Sequence, residues 1–195
     1  MGHVQDGDAV LTLRSLKEVH QVILRFLVDR GKRFVEKQHR RLHDKGPGEG
    51  DALSFTAIGY PAELFLGSLV FDGVFERFPR LRVGITELGV SWLPSFLHMI
   101  DTAHRSFRRI QNLSHLTVRP SEYVRRQVVV SPFAGEDVGW VIEQSDPACV
   151  AFSSDYPHHE GTDDPIRRFE ASMTGIDDDA RDAFYHGNGQ RLLAL

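Results

Sequence analysis

The chain has 195 residues and a mass of 22.1 kDa, about the size of one ordinary domain. With 41% hydrophobic and 26% charged residues it can bury a core, which excludes disorder along its whole length. A net charge of −4 and a pI near 6.2 give no global electrostatic case for nucleic acid, and a single cysteine excludes an internal disulfide framework and a cysteine-cluster zinc site.

The N-terminus, MGHVQDGDAV, has no basic stretch leading into an apolar one, so no secretory signal is expected. Asp6 stands where a myristoylation signal wants Ser or Thr. The apolar windows Val22–Val28 and Leu64–Phe75 are broken by Arg25 and Asp72, and both fall short of the ~20 residues of a membrane span. A cytoplasmic protein without a membrane partner is the expectation.

From Leu11 to His43, apolar residues including Leu13, Leu16, Val19, Ile23, Phe26, Leu27 and Phe34 recur mostly at three- and four-residue steps, which predicts an amphipathic helix. Its second half is basic, from Arg30 to Lys45, as befits a solvated face. Gly46-Pro47-Gly48-Glu49-Gly50 ends it. Residues 1–50 thus form a basic helix and linker, and residues 51–195 a second part in which strands and helices alternate.

In that part a helix from Pro61 carries Phe65, Leu66, Leu69, Val70, Val74 and Phe78 on one face, and Pro79 stops it. Leu81–Thr86 is a predicted strand followed by the loop Glu87-Leu88-Gly89. A helix from Pro94 carries Phe96, Leu97, Ile100, His104 and Phe107. Val128–Ser131 is a strand, Asp137–Gln144 a helix, and Ala148–Ser153 a strand of near-continuous apolar character. Asp164–Met173 and Asp178–Leu193 are closing helices. Strands that are apolar on both faces, each followed by a helix, indicate parallel βαβ units and an α/β fold.

In such architectures chemistry gathers in the loops after the carboxyl ends of the strands. Glu87 follows the first predicted strand, Pro132-Phe133 the second, and Asp155-Tyr-Pro-His158-His159-Glu160-Gly161 the third. Ten histidines in the chain add to the hint of metal or proton chemistry. Each candidate also has a structural role open to it. Asp155 can fold onto nearby amides as an Asx-turn; Glu87 can cap the next segment or pair with an arginine. Adjacent His158 and His159 do not easily face one metal together. Trp92 and Phe133 suit core packing as well as a substrate platform. Cys149 is read as a small buried hydrophobe, and His98, His104 and His115 as structural.

Several motifs in order carry a resemblance. Gly59-Tyr-Pro-Ala-Glu63, the run from Ser68 to Val83, Glu87-Leu-Gly-Val-Ser-Trp-Leu-Pro94, Pro120-Ser-Glu-Tyr123, Phe152-Ser-Ser-Asp-Tyr-Pro-His158 and Gly187-Asn188 resemble blocks of the amidohydrolase-2 family, relatives of aminocarboxymuconate-semialdehyde decarboxylase. The resemblance runs from about Phe55 to Leu195. It implies a metal-dependent (β/α)8 barrel of the TIM type that hydrolyses or decarboxylates small carboxylated or cyclic compounds. Asp155 would ligate a divalent metal, zinc first among the candidates, and take a proton from its water. Glu87 stands where decarboxylase members place a catalytic histidine, and a glutamate can serve as acid or base in its stead. Trp92, Phe133, His158 and His159 would line the substrate.

Two departures qualify the expectation. The family's His-x-His pair of metal ligands is absent from these residues, and His43, the nearest candidate for a further ligand, sits in the charged stretch QHRRLHDKG. A complete barrel takes roughly 250 residues, so the resemblance covers only about strands six to eight. A homo-oligomer, or a partner chain completing the barrel, is therefore expected. The rival expectation is an inactive remnant that serves as a binding module.

Overall fold

The computed structural model describes residues 55–154 and 162–195. Within them, Ile58–Leu195 is one compact unit. The predicted helix Leu11–His43 and its linker lie outside the described residues.

The unit opens with α1 (Tyr60–Phe71), whose Pro61 occupies the first turn, where its missing N–H leaves nothing unpaired. The single helix predicted over residues 61–78 breaks here. Gly73 adopts a left-handed φ of 68°, and α2 (Val74–Arg77) starts anew beyond it. Glycine is required twice over, because a Cβ at Gly73 would come within 2.7 Å of His115 Cδ2. That imidazole in turn bonds through Nε2 to the Phe71 carbonyl at 2.9 Å, the structural role expected of it. The break rotates the apolar face, so that Phe75 is buried while Phe78 is exposed.

Strand β1 (Val83–Ile85) follows, then α3 (Leu93–Phe107), with Pro94 in its first turn. Its buried residues Leu93, Phe96, Leu97 and Ile100 recur at helical spacing and face the core. Next comes α4 (Pro120–Gln127), a helix absent from the predicted elements. The Asp101 carboxylate, from α3, caps it by accepting from Ser121 N at 2.9 Å and Ser121 Oγ at 2.8 Å. Strand β2 (Val128–Val130) is buried at every residue, as a strand covered on both faces must be. Asp137 caps α5 (Val138–Gln144) by accepting from Trp140 N at 2.9 Å.

The third predicted strand is much shorter than the sequence suggests. Asp146 accepts from Ala148 N at 2.8 Å and draws Pro147–Cys149 into a 3-10 turn. Val150 alone then bridges to Val130, in parallel. Ala151 N still donates to the Val130 carbonyl, whereas Phe152 N donates to the carbonyl of Phe184. After α6 (Pro165–Ser172) and α7 (Asp178–Asp182), a π-helical turn over Ala183–Gly187 leads into α8 (Asn188–Leu193). The closing helix predicted as one piece thus contains an inserted residue's worth of winding.

The parallel pairing of β1 with β2 aligns Val83, Gly84 and Ile85 with Val128, Val129 and Val130. With Val150 beside Val130, the order is sequential, as in successive βαβ units. Ile85, Val130 and Val150 form one row across the sheet. The core lies between this sheet and its helices, with Leu66, Phe75, Phe96, Phe169 and Phe184 among its largest members.

Candidate functional site

Glu87 lies two residues past Ile85 and Phe133 three past Val130; Ser153 and Ser154 follow Val150. Three loops therefore leave one edge of the sheet. Glu87 is exposed and holds a left-handed φ of 65°, one of two non-glycine residues with positive φ among those described. Gly89, two residues on, has a φ of 63°. These two left-handed residues lie in the connection between β1 and α3.

Two groups fix the turn. The Trp92 indole N–H donates to the Gly89 carbonyl at 2.9 Å, and its ring packs edge-on to Phe96 with centroids 5.8 Å apart. The same ring lies so close to Gly59 that a Cβ there would stand 2.6 Å from Trp92 Cδ1, tying together two of the sequence motifs. On the other side stands Glu136, which sequence reasoning passed over. Its carboxylate accepts from Val90 N (2.9 Å to each oxygen), Ser91 N (2.8 Å) and Ser91 Oγ (2.6 Å) in the β1 loop. It also accepts from Phe133 N, at 2.8 Å, in the β2 loop. A Cβ at Gly89 would meet both Glu136 Oε1 and Phe133 Cδ2 at 3.0 Å, so glycine also allows the close approach.

The structure thus brings the loops of Glu87, Trp92 and Phe133 together. Asp155, His158, His159 and His43 lie outside the described residues. Among the described residues no group of three or more His, Cys, Asp or Glu side chains is arranged to hold a metal ion. Among the described residues, too, no helix is long and apolar enough to cross a membrane.

A parallel β/α unit with polar groups gathered where its strands end belongs to the class of proteins that build their sites from carboxyl-edge loops. A model of the amidohydrolase family matches residues 56–195, and the chain belongs to that family. No curated protein matches it in sequence. Among solved structures it is similar to an amidohydrolase from Mycobacterium avium subsp. paratuberculosis, with a TM-score of 0.56, 23% identity, and coverage of 66% of this chain and 32% of that one. It is also similar to the 5-carboxyvanillate decarboxylase of Sphingomonas paucimobilis, with a TM-score of 0.53, 25% identity, and coverage of 66% and 38%. A third, the 5-carboxyvanillate decarboxylase of Novosphingobium aromaticivorans, was crystallised with manganese; it has a TM-score of 0.52, 20% identity, and coverage of 68% and 38%. The chain spans 32–38% of the length of these structures.

Proposed function

We propose that the chain supplies the carboxyl-edge loops of strands six to eight of an amidohydrolase-type (β/α)8 barrel. The barrel would act as a metal-dependent hydrolase or decarboxylase on a small carboxylated or cyclic substrate. The supporting observation is the row Ile85, Val130 and Val150, beyond which three successive loops leave the same edge of a parallel sheet. Glu87 is the acid–base group in this reading, an exposed residue just past the carboxyl end of β1. Trp92 and Phe133, in the adjoining loops, are candidates to contact the substrate, with His158 and His159 as further ones. Asp155 is the donor proposed for the metal, zinc first and manganese next, the latter because a relative holds it. When bound, a divalent ion lowers the pKa of a water it ligates towards ~7 and polarises a carbonyl or carboxylate. Asp155 would orient that water and accept its proton, and Glu87 would protonate or deprotonate the substrate.

The remaining ligands and strands come, in this proposal, from another copy or a partner chain. Elemental analysis and native mass of the purified chain, after loading with zinc or manganese, test this. A divalent ion retained in a species larger than one chain, and lost in Asp155→Asn, is the expected result. A metal-free monomer without turnover would overturn it and leave a binding module.

A further inference from the structure

Glu136 lies between Gly135 and the capping residue Asp137, where an acidic residue in a turn draws no notice. Its surroundings are unlike those of a solvated turn. Three main-chain N–H groups and one hydroxyl, drawn from two loops, converge on the one carboxylate. Charge-assisted bonds of this kind are short and directional. The segments 89–91 and 133–136 therefore cannot slide past each other without stripping a charge of its partners.

The consequence falls on Glu87. A non-glycine residue stays in the left-handed region only where its surroundings over-determine it. Glu87 has a φ of 65° there, and three of the next four residues are held. Val90 and Ser91 are bound by Glu136, and Gly89 is bound through its carbonyl by the Trp92 indole.

We infer that Glu136 is a positioning residue, which gathers the amides of Val90, Ser91 and Phe133, locks the Glu87 loop in its left-handed turn, and so fixes the backbone position of Glu87 past the carboxyl end of β1. The catalytic consequence rests on the functional reading above; the loop-locking does not.

The test is Glu136→Gln in isotope-labelled protein. The substitution keeps the shape but points a donor amide at groups that are themselves donors. Hydrogen exchange at Val90, Ser91 and Phe133 should rise at least roughly tenfold, with Val129 and Val130 unchanged as the sign of a retained sheet. The carbon shifts and HN–Hα coupling of Glu87 should lose their left-handed signature. A Glu87 that keeps this signature, with the three amides still slow, overturns the inference. Should E136Q not fold, Ser91→Ala removes one of the four donors and leaves the carboxylate in place. Exchange at Val90 and Phe133 should then rise roughly two- to threefold, and unchanged exchange overturns the inference.

In any assembly in which the wild type turns over, E136Q should lower kcat with KM unchanged, and Glu87→Gln should do the same. The double variant should be no slower than E87Q alone. Absence of wild-type turnover counts against the functional reading, while the exchange and torsion measurements still decide the role of Glu136.

Discussion

Asn188 offers the sharpest test of how the third strand is held. At 4% exposure it opens α8, and its Nδ2 donates to the carbonyls of Pro147 at 2.6 Å and Val150 at 2.8 Å. Asn188→Ala deletes both bonds and leaves buried acceptors without their donor. Two neutral hydrogen bonds at about 1 kcal/mol each, plus part of a desolvation penalty, put the loss at about 2–4 kcal/mol. Asn188→Asp preserves volume and shape, yet at neutral pH it sets a carboxylate against two carbonyl oxygens, so it should cost more than alanine. The sign of its pH dependence follows. Burial and the facing carbonyls raise the folded pKa of the new carboxyl above its unfolded value of ~3.9. Its protonated form, which can donate one bond, is then the one that folding favours. The N188D deficit is smallest below that unfolded value, grows as pH rises through the folded pKa, and then levels off. The N188A deficit stays level throughout. Urea titrations followed by far-UV circular dichroism would show this as midpoint shifts on the order of 1–2 M. An N188D protein as stable as the wild type at neutral pH, or more stable than N188A there, would refute the reasoning.

Two further outcomes are expected. Burial, aided by the charge of Asp146, pushes the Cys149 thiol up to about 12. The folded protein should therefore leave a disulfide reagent unreacted at mildly alkaline pH, and one thiol should react once denaturant is added; rapid native labelling would contradict the packing of this 3-10 turn. The hydroxyls of Tyr123 and Thr117 hold the Glu76 carboxyl below the ordinary glutamate range. Its contribution to stability is present above the unfolded pKa and is lost as pH falls through the depressed folded one. Tyr123→Phe removes the largest cause, so a plot of Tm against pH should be flatter on its acid side than in the wild type. An equal acid slope in both proteins would count against this pair.

What the sequence made legible follows from where the bonding partners lie. The strands at Val83–Ile85 and Val128–Val130 and the helix from Pro94 were all readable, because apolar spacing and proline placement are local signals. The Pro120–Gln127 helix was not. Ser121 and Gln127 are buried in it, and polar residues at buried positions erase an apolar period. Their partners, Asp101 and the carbonyls of Phe78 and Leu81, are 20 to 49 residues away in the chain. The break at Gly73 depends on His115, and the shortening of the third strand on Asp146 and on a π-helical turn that no 3.6-residue period reveals. At the candidate site, Glu87 could be placed by counting from a strand end. Glu136 could not, since the donors it gathers from the first loop are 45 and 46 positions distant.

These distant contacts also explain how so small a sheet keeps its register. Two three-residue strands and a single bridge offer few ladder bonds. Side chains strap the entering ends instead. Gln127, just before β2, donates to the carbonyls of Phe78 and Leu81 ahead of β1. Arg191 donates to those of Arg126 and Ala148, ahead of β2 and of the Val150 bridge. At the leaving ends Glu136 joins the first two loops, and the π-helical turn presents the Phe184 carbonyl to Phe152 N. The division matches what parallel β/α proteins require, in which the amino edge serves stability and the carboxyl edge serves chemistry. The straps at the amino edge are the neutral amide of Gln127 and the guanidinium of Arg191, both donating to main-chain carbonyls, and can hold without regard to any ligand. The strap between the first two loops is a carboxylate. It accepts from amides of the same loop cluster as Glu87, so it shapes the geometry of the candidate site.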